Sequence, residues 1–157
     1  MDNRILYGLV LLAGIIGMQM LMRFVRQRRL MRAWQTAEAG LQDGEEGIAR
    51  AETALRKCLK IEPLWTPARM LLADVLARQG RLEEAEAEHK LSADLHPREV
   101  EGHVRLALFY VAHQPERKED ALRALRAALE CAPDGDNGFL ADPRFIPLHA
   151  EADWPRG

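Results

Sequence analysis

The histidines and cysteines are the residues best suited to acid–base, nucleophilic or metal chemistry, and their spacing assembles none of it. His89, His96, His103, His113 and His149 are scattered. His96 and His103 stand seven apart, but Pro97 lies between them and keeps them off a common helical face. Cys58 and Cys131 are far apart and neither belongs to a Cys-x-x-Cys pair, so zinc, haem and thioredoxin-like chemistry have no support. They read as small buried residues, and their low number fits a reducing compartment. Asp134, Asp136 and Asn137 have the acidic spacing that opens a calcium loop. Gly138, however, sits where a ligand is needed, Phe139 replaces the turn glycine, and Phe145 replaces the bidentate Glu, so the stretch reads as a plain turn. There is no Gly-rich phosphate loop, no Gly-x-Ser-x-Gly and no His-Glu-x-x-His. These residues point to a protein that is not an enzyme and that holds neither metal nor cofactor.

Charge is more informative. The 157 residues carry a formal net charge of −2, with 48% hydrophobic and 29% charged residues, which fits one ordinary folded domain. That charge averages two unlike pieces. Residues 1–32 hold Arg4, Arg23, Arg26, Arg28, Arg29 and Arg32 against Asp2, whereas the remainder is acidic by seven charges. Nucleic-acid binding is disfavoured by that acidic remainder. The excess of Arg over Lys points to a GC-rich bacterial genome.

Residues 5–22 are uncharged, with Gln19 the one strongly polar side chain. Eighteen residues at about 1.5 Å rise give roughly 27 Å of helix, close to a hydrocarbon core of about 30 Å. The run ends in Arg23-Phe24-Val25-Arg26-Gln27-Arg28-Arg29, with no small-x-small cleavage site, which favours an uncleaved anchor over a signal peptide. Sequence therefore predicts a single transmembrane helix in a bacterial inner membrane. The flanking Arg23, Arg26, Arg28, Arg29 and Arg32 place the N-terminus outside and the bulk in the cytoplasm, and offer contacts to anionic lipid headgroups. Ala13, Gly17 and Gln19 form a surface on which another membrane helix could pack. With no Pro between Met1 and Glu62 and no Gly between Gly17 and Gly40, the anchor is expected to continue unbroken into the first helix beyond it.

Beyond residue 32 the sequence repeats. Pro63 is followed by Pro97 after 34 residues and by Pro133 after 36; Ala39, Ala73 and Ala107 recur at 34; Ala51, Ala85 and Ala121 recur at 34 and 36. Leu59/Ala93/Leu129, Ile61/Leu95/Cys131 and Cys58/Ser92/Ala128 agree with this register. The two extra residues of the last unit fall in His113-Gln114-Pro115-Glu116, between its helices. Each unit reads as a helix pair; in the middle one, residues 68–79 and 82–95 flank Gly80, and His96-Pro97 ends the second helix. After the turn, Asp142-Pro143 offers an N-cap and first position for a short helix bearing Phe145, Ile146 and Leu148. Residues 139–150 then either cap the last repeat or extend as a tail toward a partner.

The middle unit, from Leu71-Leu72-Ala73 through Gly80-Arg81-Leu82-Glu83-Glu84-Ala85 to Asp94-Leu95-His96-Pro97, resembles the tetratricopeptide repeat (TPR) family. The resemblance covers about residues 32–133. Its first unit is degenerate, with Glu38 and Gln42 in columns held by Leu72/Leu106 and Leu76/Tyr110, and His89 stands where the family prefers a bulky apolar residue. The expected fold class is all-α: an N-terminal transmembrane helix with its Arg-rich flank (1–32), an α-solenoid of three TPR helix pairs (33–133), and a C-terminal capping segment or tail (134–157).

The resemblance implies a protein-binding groove lined by the first helix of each unit. The matching positions are Thr36 and Asp43, then Met70, Asp74 and Arg78, then Val104, Leu108 and Val111. The last three share one helical stripe, equally suited to packing against the C-terminal segment and to binding a ligand. Family members that capture chaperone C-termini use a clamp of Lys, Asn and Arg; here those positions hold Thr36, Gly40, Leu71, Glu101 and Arg105, of which only Arg105 fits. The lipopolysaccharide-assembly regulator of this family carries a rubredoxin-like metal end whose cysteine pairs are missing here. The expected role is a membrane-anchored adaptor or scaffold for other proteins. The alternative is a stoichiometric structural subunit of an integral membrane complex.

Overall fold

The computed structural model describes residues 3–132, 137–151 and 153–155, and of residues 3–6 and 8–10 the backbone alone. Six α-helices follow one another: α1 (Asn3–Gln42), α2 (Gly44–Ile61), α3 (Thr66–Arg78), α4 (Leu82–Leu95), α5 (Val100–His113) and α6 (Lys118–Cys131). Two 3₁₀ segments, Gly138–Ala141 and Pro143–Leu148, come after them. The helices pack as three successive pairs, α1 with α2, α3 with α4 and α5 with α6, and α2 meets α3 as α4 meets α5. Among the described residues this is an all-α solenoid. Asp134 and Asp136 of the calcium-like turn lie outside those residues.

The membrane span expected from residues 5–22 is corrected. Among the described residues, no helix is long and apolar enough to cross a membrane. Ile5, Leu6 and residues 8–10 of the expected span have side chains outside the described set. The transmembrane anchor, the single-pass inner-membrane placement and the lipid contact through that anchor therefore do not stand. What the structure does show is one 40-residue helix, α1, running without a break through the Arg-rich segment into the first pair.

Local chemistry explains the turns. At the α3–α4 turn, Gly80 adopts φ +76°, and the Arg81 N–H closes back onto the Leu76 carbonyl at 3.0 Å. This left-handed residue satisfies carbonyls that the helix end would otherwise leave open. Pro67 sits in the first turn of α3, where its missing N–H costs nothing. The two-residue insertion is shared: α5 has 14 residues against 13 in α3, and the α5–α6 connection, residues 114–117, is one residue longer than residues 79–81 between α3 and α4.

Small residues set the spacing between helices. Ala73, Ala85 and Ala107 are fully buried, and Ala121 nearly so. Ala51, the counterpart of Ala85 and Ala121 in α2, is also fully buried; the register fails only in α1, where Ala39 is exposed and Ala37 and Gly40 are buried instead. A single residue, Asp43, links α1 to α2, so α2 begins earlier than the spacing implies. A Cβ on Gly40 would lie 2.5 Å from the Gly47 carbonyl oxygen, and one on Gly47 would overlap the Gly40 carbonyl. These two glycines let the α1 and α2 backbones touch.

Two equivalent charge staples join the pairs. At the first, Arg81 at the head of α4 donates to Glu52 of α2 at 2.8 Å and to Glu84 at 2.6 Å. At the second, Arg117 at the head of α6 donates to Glu86 of α4 at 2.7 Å and pairs with Asp120 at 2.7 Å. Tyr110 donates to Glu86 at 2.9 Å and lies under the Arg117 guanidinium. Burial alone would raise the Glu52 and Glu86 pKa values. Hydrogen bonds, chiefly from Arg81 to Glu52 and from Lys90 and Arg117 to Glu86, outweigh it and hold both carboxyls at about 2.

The last pair is covered by the second 3₁₀ segment. Asp142 caps it, accepting the Arg144 backbone N–H at 2.9 Å. Phe145 and Leu148 are buried, whereas Ile146, expected to join them, is 61% exposed. A 3₁₀ turn repeats every three residues, so Phe145 and Leu148 share a side that Ile146 leaves.

Candidate functional site

The groove that resemblance assigned to the first helix of each unit is built here mainly by α3 and α5. An open concavity of about 470 Å³ is lined by Asp74 and Arg78 from α3, by Arg105, Leu108, Phe109 and Val111 from α5, by His89 from α4 and by Arg144 from the C-terminal segment. Four of the eight expected groove residues, Asp74, Arg78, Leu108 and Val111, thus come together. Val104 instead packs inward at 9% exposure, and Met70 is half-buried outside this lining. The α5 stripe is divided: Val104 serves the core, Leu108 faces the groove, and Val111 touches both the groove and the space beside Pro147 and Leu148. Thr36 and Asp43 lie on α1 and its turn, beside Arg32 and Arg50, away from this concavity.

Asp74 organises the charges. The Arg105 guanidinium donates to it at 3.3 Å and to Glu101, one helical turn back, at 2.7 Å. His89 Nε2 stands 3.5 Å from the other Asp74 oxygen. The histidine is 2% exposed and packs on Phe109 with ring centroids 5.3 Å apart, so it does serve as the bulky residue of its column. Its Nδ1 is buried without a hydrogen-bond partner among the described residues. Arg105, the one residue fitting a carboxylate clamp, is therefore already engaged by two acids of its own chain. Arg144 reaches the groove while held by Asp142; that contact, with the fields of Asp74 and Glu101, raises its pKa. Arg78 is exposed and makes no ion pair among the described residues.

Sequence spacing missed Arg144, His89 and His113 as lining residues. Arg144 comes from a segment outside the repeat, and the histidines belong to columns read as core or loop. No serine or cysteine lines the groove, so His89 and Asp74 have no nucleophile to activate. Among the described residues no cluster of His, Cys, Asp or Glu is arranged to hold a metal ion. Cys58 is buried, with its pKa raised by that burial, and Cys131 is half-exposed; both thiols are free.

The N-terminal candidates are dispersed along α1. Ala13, Gly17 and Gln19 are exposed, and a Cβ on Gly17 would meet nothing within 4 Å. Of the arginines, Arg26 binds the Ile61 carbonyl and Glu62 at the end of α2, at 2.6 and 2.9 Å. Arg28 lies 4.4 Å above the Phe24 ring, Arg23 is exposed, and Arg29 and Arg32 line a cleft with α2.

No family model matches the sequence, and no curated protein matches it. Among solved structures, the TPR2B domain of yeast Sti1, in its complex with pHsp70, superposes with a TM-score of 0.64 at 20% identity. The match covers 77% of this chain and 94% of that one. The fold is that of a TPR domain. At this identity the likeness establishes the arrangement of the helices alone, which agrees with the repeat spacing in the sequence, and leaves the ligand to be argued from the groove itself.

Proposed function

We propose that the chain is a non-enzymatic protein-interaction adaptor whose α3–α5 groove takes an extended segment of a partner protein. The observation that carries this reading is the convergence, on one open concavity, of an unpaired cation at Arg78, two further arginines and the apolar Leu108 and Val111. Leu108 and Val111 offer apolar contact while Arg78 and Arg144 offer charge-assisted hydrogen bonds, a combination suited to a segment that carries an apolar side chain beside a carboxylate. The solved complex of the yeast TPR2B domain with pHsp70 supports a protein ligand as the class to test.

Selection from a phage-displayed peptide library on the full chain tests it. Selected peptides should be rich in Asp or Glu beside an apolar residue, and should bind Leu108→Ser/Val111→Ser and Arg78→Ala at least about tenfold more weakly, a loss of about 1.4 kcal/mol. Selected peptides that bind the groove variants as well as the parent would remove the groove from the function.

A further inference from the structure

A second cleft lies between α1 and α2, on the side of the first pair turned away from α3. Arg29 and Arg32 project from α1, Lys57 and Lys60 from α2, over a floor that includes Ala33 and Ile61; the cleft encloses about 520 Å³. All four cations are exposed, and none makes an ion pair among the described residues. Ten other arginines, Arg26, Arg50, Arg56, Arg69, Arg81, Arg105, Arg117, Arg123, Arg126 and Arg144, pair with carboxylates. Arg23, Arg28, Arg78 and Arg98, which make no ion pair among the described residues, do not line this cleft. Among the described residues no acidic side chain lines the cleft.

The position in the stack defines the shape of what would fill it. Trp34, on the opposite side of α1, meets Trp65 at 4.8 Å just before α3, so α3 occupies one side of the first pair. α5 packs on the second pair in the same way, and the 3₁₀ segment on the third. The outer side of the first pair lacks such an element among the described residues. A groove between two antiparallel helices is where a further helix packs in this architecture.

We propose that this cleft docks an acidic amphipathic helix from a partner protein, its apolar side on Ala33 and Ile61 and its carboxylates between the α1 and α2 cations. Charge complementarity selects the occupant. Four lining cations without an ion partner among the described residues call for an anionic occupant, and the concave apolar floor of Ala33 and Ile61 matches a helix rather than a flat lipid surface or a sugar–phosphate backbone. The site is separate from the α3–α5 groove, so either can fail without the other.

The test uses the full chain and a synthetic acetylated, amidated helical peptide of Ala, Leu and Glu, with Leu on one face and Glu flanking it. A second peptide has Lys in place of every Glu. The acidic peptide should bind, weaken by about tenfold or more on Lys57→Glu/Lys60→Glu, and keep its affinity on Arg78→Ala. The Lys peptide should bind the charge-reversed variant better than the parent, which shows that the variant is folded and that the site reads charge. Absence of acidic-peptide binding, binding indifferent to charge reversal, or a stronger charge-dependent interaction of the same residues with oligothymidylate or phosphatidylserine vesicles would overturn the proposal.

Discussion

At the C-terminal end of the stack, Phe145 and Leu148 are buried under the last helix pair, whereas at the N-terminal end the outer side of α1 and α2 is open and carries four cations without ion partners. The same architecture is thus finished by apolar burial at one end and left charged at the other. The inner groove lies nearer the finished end and draws one of its arginines, Arg144, from the segment that closes it. In a solenoid each pair is stabilised mainly by its neighbours, so the two ends should differ in stability as well as in what they bind.

The largest effect is expected from opening the closed end. Phe145 is fully buried, and Phe145→Ala should cost about 3–5 kcal/mol by loss of burial and a residual cavity. Chemical denaturation measures it, and hydrogen exchange should place the loss at α5 and α6 first. The open end should break differently. Gly47→Ala forces a Cβ against the Gly40 carbonyl and should cost about 1–3 kcal/mol by overpacking, with faster exchange confined to α1 and α2.

The staples connect the ends, and their acids give a pH signature. Glu52 and Glu86 ionise at about 2 in the folded chain against an ordinary 4.5. Because the folded value is the lower one, their contribution is fully present above pH about 4.5 and disappears as pH falls toward 2. Both carboxylates are only partly screened, at 18% and 13% side-chain exposure. Glu52→Gln and Glu86→Gln should each lower neutral-pH stability by about 1–2 kcal/mol and flatten the acid limb of the stability curve, read by thermal melts across pH. A variant that keeps the parent's acid limb would show that its staple does not contribute. The smallest stability effect belongs to Arg78→Ala: its side chain is exposed and makes no ion pair among the described residues, so stability should change by less than about 0.5 kcal/mol.

The contrast between the ends also marks how far sequence reasoning reached. The recurrence of Pro63, Pro97 and Pro133 and the Ala51/Ala85/Ala121 column located the helix pairs because stacked repeats must present small residues at fixed intervals. The register of those columns also relates Glu52 to Glu86, after 34 residues, and Arg81 to Arg117, after 36, so the staples are legible in the sequence. Ala39 misled because the one-residue turn at Asp43 shifts α1 against its column, a shift visible only once Gly40 and Gly47 are in contact. The membrane span was inferred from the composition of one stretch, and among the described residues no helix is long and apolar enough to bear it out. Arg144 was invisible because no periodicity governs the segment that carries it.

Methyl NMR of the full chain, titrated with a library-selected peptide, tests the central claim most directly, since Leu108 and Val111 carry reporters inside the groove. The account predicts saturable shifts at Leu108 and Val111, with Leu55 in α2 unmoved. Shifts centred on α1 and α2, or none at Leu108 and Val111 while the peptide binds, would contradict it.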